Sequence, residues 1–149
     1  MEMILLKKID EVAFKKYSKL LADDEDVKKY VEFYSNKNVY GISLENEIIG
    51  LIGFHELCGN MVSIDIGIRK EYRNKGYGKE LLKSLPEKYG MMFSEFQNFV
   101  AFVHYKNTIS DKAFENIGWD IVYEEKYQEL SDYKVYVKTI NKNKNKESK

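Results

Sequence analysis

Apolar positions recur along this chain with two different periods, and the changes of period divide it into elements. Met3 to Lys7 is a short apolar run that predicts a strand. Asp10 then caps a helix whose apolar positions Ala13, Tyr17, Leu20 and Leu21 fall at helical spacing. The acidic run Asp23-Asp24-Glu25-Asp26 opens a second helix, in which Val27, Tyr30, Val31 and Tyr34 form one stripe. Strand patterns follow. Val39 to Leu44 alternates, Glu45-Asn46-Glu47 is a tight polar turn, and Ile48 to Leu57 is largely apolar around Gly50 and Gly53. Gly59-Asn60 turns the chain into Met61 to Ile68, where Val62, Ile64, Ile66 and Ile68 alternate with Ser63, Asp65 and Gly67. Short turns between these three strands predict an antiparallel meander.

After Ile68 the pattern changes. Arg69 to Lys75 is polar and basic, and Gly76 opens a helix with Tyr77, Leu81, Leu82 and Leu85 inward. Pro86 has no amide hydrogen, so this helix is expected to end or kink near Ser84, which would cap a short second segment reaching Phe93. Phe99 to Val103 predicts a buried strand, parallel to the one ending at Ile68 because a helix separates them. Asn107 or Thr108 starts another helix, with Ser110, Ala113, Phe114 and Ile117 on one face, and Gly118 stops it. Trp119 to Glu125 and Tyr133 to Ile140 read as a closing antiparallel pair. With no internal repeat and no linker, residues 1–140 form one expected domain of order β-α-α-β-β-β-α-β-α-β-β.

Composition narrows the class. The 149 residues are 44% hydrophobic and 32% charged, which is globular rather than disordered. No apolar run approaches the roughly 20 residues of a membrane span, and the opening residues are too short in apolar character for a signal peptide. A cytoplasmic protein with no membrane partner is therefore expected. One cysteine, Cys58, excludes an internal disulfide and a cysteine zinc site, and His55 and His104 are far apart in sequence, so no metal is expected. Net charge is zero, but residues 141–149 carry four Lys against one Glu. This Lys/Asn-rich tail is read as a solvated, disordered end. Nucleic acid is not an expected partner, because the tail has no aromatic residue to stack on bases and the body is not basic.

The candidate chemistry lies in Arg73-Asn74-Lys75-Gly76-Tyr77-Gly78, between an apolar strand and an amphipathic helix. A helix N-terminus leaves backbone N–H groups unpaired and carries partial positive charge. Paired glycines let that backbone approach a phosphate, so the loop suits a pyrophosphate, with Arg73 and Lys75 adding charge at the rim. A glycine-rich helix start without a ligand is the plainer alternative. The Walker pattern is absent. The dinucleotide fingerprint would need a small residue where Leu81 stands, and an early β-α-β unit.

The stretch from Ile66 to Leu82, with Arg73, Gly76 and Gly78, resembles the main cofactor motif of the GNAT superfamily of acyl-CoA N-acyltransferases. The stretch from Val103 to Trp119, with Asn107, Ser110, Ala113, Phe114 and Gly118, resembles that family's second motif. The resemblance implies an α/β (α+β) fold: a mixed, mostly antiparallel sheet with a splayed parallel pair of strands and helices on both faces. It also implies acetyl-CoA as co-substrate. Backbone groups of Ile66, Gly67 and Ile68 would hold pantetheine, the amides of Asn74, Lys75, Gly76, Tyr77 and Gly78 would hold the pyrophosphate, and Asn107 would reach the pantetheine arm or simply cap its helix.

Transfer to an amine needs a base, because an amine of pKa near ~10 is mostly protonated at neutral pH. Asp65, on the polar face of its strand with Ser63 and Gly67, is the best candidate base, with simple ion pairing as its alternative role. His104, Tyr123 and Glu124 are weaker candidates. The family often has a tyrosine proton donor where this chain has Phe114, so Tyr105 or water is the expected substitute. The acceptor is expected to be a primary amine of a small molecule or a protein, and Asp23 to Asp26 would attract it if cationic. A homodimer stays open. Phe114 also motivates the alternative of a non-catalytic acyl-CoA-binding module.

Overall fold

The computed structural model of the chain describes residues 4–21, 38–57, 60–104, 112–114, 116–122 and 133–140. In chain order the elements are β1 (Ile4–Lys8), α1 (Glu11–Leu21), β2 (Val39–Leu44), β3 (Glu47–Leu57), β4 (Met61–Ile68), α2 (Tyr77–Tyr89), β5 (Asn98–His104), β6 (Asp120–Val122) and β7 (Tyr133–Thr139). Short 3-10 turns occupy Lys70–Tyr72 and Gly90–Phe93. The seven strands form one sheet of order β1-β2-β3-β4-β5-β7-β6. It is mostly antiparallel, with β4 and β5 as the parallel pair in register Met61↔Asn98 to Ser63↔Val100. By contacts the chain falls into two units, Met1–His55 with Ile64–Gly78, and Glu56–Ser63 with Lys79–Lys149.

In the first unit, Asp10 caps α1 as expected: its Oδ1 accepts the Ala13 amide at 2.7 Å. Phe14 on α1 packs with Val39 and Leu51 of the sheet, and Ile9 and Tyr17 close the edge of this cluster. β2 does not alternate as its sequence predicts. Val39, Ile42, Ser43 and Leu44 are all buried, so both faces of this strand are covered. A register shift between Ile42 and Ser43 interrupts its pairing with β3. Leu44 pairs with Glu47, leaving Glu45 and Asn46 as a two-residue turn with φ of 48° and 69°. Two left-handed residues in succession match the right-handed twist of the flanking strands. Lys7 Nζ donates to Asn46 Oδ1 at 3.2 Å across this turn.

In the second unit, β7 lies between β5 and β6, pairing from Asn98↔Thr139 to His104↔Tyr133 on one side and from Asp120↔Val137 to Val122↔Val135 on the other. Phe99 on β5 is fully buried, with Phe93 edge-on at 5.6 Å and Trp119 stacked at 6.4 Å. Phe114 stacks on Tyr136 at 4.4 Å and meets Trp119 edge-on at 5.2 Å. Gly118 has φ of 84°, the conformation expected where a helix is stopped, and its carbonyl accepts Lys138 Nζ at 3.0 Å.

One expectation is corrected here. α2 does not end near Ser84 but runs through Pro86 to Tyr89, and the following segment is the 3-10 turn Gly90–Phe93. The cost of proline inside a helix includes the lost amide bond to the carbonyl four residues earlier, which is that of Leu82. That carbonyl instead accepts the indole Nε1–H of Trp119 at 3.2 Å, a buried bond. A distant side chain thus replaces the missing donor. Ser84, read as a cap, instead donates its hydroxyl to the Leu81 carbonyl at 3.2 Å.

Candidate functional site

The glycine- and lysine-rich loop leaves the sheet at the end of β4. That strand is buried at Val62, Ser63 and Ile64, exposed at Asp65 and half-buried over Ile66, Gly67 and Ile68. The Arg69 amide continues the pairing with β3, donating to the Ile49 carbonyl at 2.7 Å. A Cβ built on Gly50 would land on the Gly67 carbonyl oxygen. Glycine at 50 is therefore what lets the end of β4 come this close to β3.

Beyond Ile68 the chain makes a 3-10 turn, in which the Tyr72 amide donates to Arg69 O at 2.8 Å and the Arg73 amide to Lys70 O at 3.3 Å. Arg69 binds several groups at once. Its guanidinium meets Glu47 Oε1 at 3.3 Å, the Ile48 carbonyl at 3.1 Å and Glu71 Oε1 at 3.0 Å, and it lies 5.5 Å from the Tyr72 ring centroid. A hydrogen bond to the Glu47 carboxylate, with desolvation and the carboxylate's charge behind it, pushes the Tyr72 phenol above its ordinary pKa. Lys75 Nζ sits over the same ring at 5.9 Å, and Tyr77 tilts against it at 6.4 Å. Arg73 turns back, its Nε donating to the Ile68 carbonyl at 2.8 Å.

The loop then passes through Asn74 (φ 62°) and Gly76 (φ 84°) before α2 begins at Tyr77. Asn tolerates this left-handed conformation through its short polar side chain, and glycine adopts it without strain. Asn74, Lys75 and Gly76 are exposed, while Tyr77 and Gly78 are half-buried. From Arg69 to Lys79 the sequence carries five cations and one carboxylate, next to the first turn of a helix. Such a turn has N–H groups without partners in the helix and favours an anion.

The two loop glycines have different causes. Gly76 is required by its φ, and a Cβ there would meet nothing within 4 Å. Gly78 has no positive φ, and its Cβ would make only an ordinary 3.9 Å contact with Ile68 Cγ1. Among the described residues, packing gives no reason for glycine at 78, where alanine would favour the helix. A ligand lying against the backbone would give one. The residues present therefore fit a pyrophosphate.

Asp65 is exposed and Ser63 buried on the strand that leads into this loop. Phe114, at the expected general-acid position, is buried in the aromatic cluster with Trp119 and Tyr136. Tyr105, Asn107, Tyr123, Glu124, Cys58, Asp23 to Asp26 and the tail lie outside the described residues, as does the His104 side chain. Among the described residues there is no group of three or more His, Cys, Asp or Glu that would hold a metal ion, and no helix is long and apolar enough to cross a membrane. The sequence reading missed Glu47, Arg69 and Tyr72. The only local signal for them is the density of charge around the loop.

The family description "Acetyltransferase (GNAT) domain" matches residues 5–120 of this chain. No curated protein matches it significantly. Among solved structures, an acetyltransferase (GNAT family) from Bacillus anthracis is 22% identical with a TM-score of 0.64, covering 90% of this chain and 92% of its own. The PaiA N-acetyltransferase from Thermoplasma acidophilum, in complex with coenzyme A, is 15% identical with a TM-score of 0.65, covering 92% and 99%. AAC(6')-Ib, in complex with ribostamycin and coenzyme A, is 15% identical with a TM-score of 0.67, covering 91% and 93%.

Proposed function

The chain belongs to the GNAT acetyltransferases, and from that premise we propose that it moves an acetyl group from acetyl-CoA to a primary amine of a small molecule or a protein. The observation that carries the cofactor half of this reading is Gly78, a helix-start glycine that neither its backbone angle nor its neighbours require. The pyrophosphate would lie against the backbone from Asn74 to Gly78, with Lys75 and Arg73 at the rim. Ile66, Gly67 and Ile68 would offer backbone groups to the pantetheine arm, the Ile68 carbonyl sharing its second lone pair because Arg73 already occupies the first. Asn107 would reach the same arm.

In the transfer, Asp65 would take a proton from the acceptor ammonium, directly or through water. The freed nitrogen lone pair attacks the thioester carbonyl carbon, the C–S bond breaks, the nitrogen gives its second proton to water to become a neutral amide, and the CoA thiolate leaves and takes up a proton. Phe114 has no proton to give. Tyr105 or water supplies it, and a thiol of pKa near ~8.5 departs without strong assistance. Cytoplasmic residence is part of the same proposal, resting on the composition and on the absence of a long apolar run. The bound ribostamycin of AAC(6')-Ib belongs to that protein; here the acceptor class is the primary amine.

Two measurements test the reading. Calorimetry with acetyl-CoA should show binding by the wild type and its loss in a folded Gly78→Val variant. Thiol release from acetyl-CoA across an amine panel should separate an enzyme from the second reading, a non-catalytic acyl-CoA-binding module, which the buried Phe114 favours. Binding without release from any amine would establish the module.

A further inference from the structure

Arg69 and Tyr72, at the root of the glycine loop, are held from outside it. The carboxylate concerned is that of Glu47, the first residue of β3. Arg69 reaches it with Nη1 at 3.3 Å and adds the neighbouring Ile48 carbonyl at 3.1 Å. The same carboxylate pushes the Tyr72 phenol above its ordinary pKa. The Tyr72 ring in turn has the Arg69 guanidinium at 5.5 Å, Lys75 Nζ at 5.9 Å and the Tyr77 ring at 6.4 Å. The turn between β2 and β3 is therefore connected to the Lys75–Tyr77 segment through one aromatic ring.

We propose that Glu47 is a positioning residue for the phosphate-binding loop, acting through Arg69 and Tyr72 to fix Lys75 and the start of α2 where the CoA pyrophosphate binds. This inference rests on the cofactor reading above and deepens it. The physical argument is preorganisation: a loop already ordered loses less entropy on binding, so its affinity is higher without a new contact. An isolated exposed ion pair would do little. Arg69 is not isolated, being only 18% exposed and bound to two carboxylates and a carbonyl. Glu47 itself does not touch the ligand.

Binding of CoA and of pantetheine, which lacks both the pyrophosphate and the nucleotide, tests the inference by titration on the whole chain. Glu47→Ala should weaken CoA about five-fold and leave pantetheine unchanged. Glu47→Gln, which keeps an acceptor for the Arg69 guanidinium, should recover part of the loss. Tyr72→Ala, which removes the ring that Arg69 and Lys75 share, combined with Glu47→Ala should cost less than the two singles together. An equal loss for CoA and pantetheine would mean general damage and overturn the proposal, as would no loss for either. If wild type binds CoA and Gly78→Val abolishes it while Glu47→Ala does not weaken it, this inference alone fails. If wild type does not bind CoA, the cofactor reading fails and takes the inference with it.

Discussion

Replacing Gly78 by alanine should make the protein more stable and a poorer binder of acetyl-CoA. The residue lies in the first turn of α2 without a positive φ, and the added methyl meets only Ile68 Cγ1 at 3.9 Å. None of the described residues must move to admit it. Glycine to alanine at such a position gains about 0.5–1 kcal/mol, chiefly by restricting the unfolded chain. For a chain of this size, that corresponds to a melting temperature higher by about 1–4 °C. The same methyl would stand between the backbone N–H groups and a phosphate oxygen. Hydrogen bonds to charged groups contribute about 1.5–3 kcal/mol each, so losing even one should weaken acetyl-CoA at least about ten-fold. Calorimetric titration and a thermal melt on one preparation read both effects. A higher melting temperature with unchanged affinity would show that no phosphate lies against Gly78.

Other outcomes follow from single contacts. Trp119→Phe should lower stability by about 1–3 kcal/mol by leaving the Leu82 carbonyl without its donor; in a Pro86→Ala background, which restores the helical amide, denaturant melts should show a smaller loss. Asp65→Asn should reduce turnover by about 10²–10⁴ with little change in acetyl-CoA affinity; an unchanged pH–rate profile would move the base elsewhere. Wild type should release thiol from acetyl-CoA with a suitable amine, and Phe114→Tyr should leave that rate equal or higher; turnover appearing only in the variant would favour the binding module.

Much of the fold is legible because its signals are local. The Asp10 cap and the Glu45-Asn46 turn each depend on residues within one turn of each other, while most of the helix expected before Gly118 lies outside the described residues. The strands from Ile4 to Ile68 follow from runs and turn residues in the same way. Strand order is different. Period-two patterning tells which face a side chain takes, not which strand lies beside it, so the pairing of β6 with β7 was readable while the insertion of β7 beside β5 was not. The helix through Pro86 failed for a related reason. Its compensating donor stands 37 residues along the chain from the Leu82 carbonyl, and no local rule supplies such a partner. Glu47 and Arg69, 22 residues apart, escaped the sequence reading for the same cause.

The glycines show how sequence and structure divide the work at the site. In the sequence, Gly50, Gly76 and Gly78 look alike: small residues near the end of a strand or the start of a helix. The structure separates them by what a side chain would meet. At Gly50 it would strike the Gly67 carbonyl, so packing explains the residue. At Gly76 it would meet open space but strain a φ of 84°, so backbone geometry explains it. At Gly78 neither applies, and the residue carries a helix penalty that nothing among the described residues offsets. At a position that weakens the element it begins, beside five cations, the proposed phosphate site supplies a reason for glycine that folding does not. The motif suits a phosphate, and the contacts around each glycine single out Gly78 as the backbone at which the proposed site is to be tested.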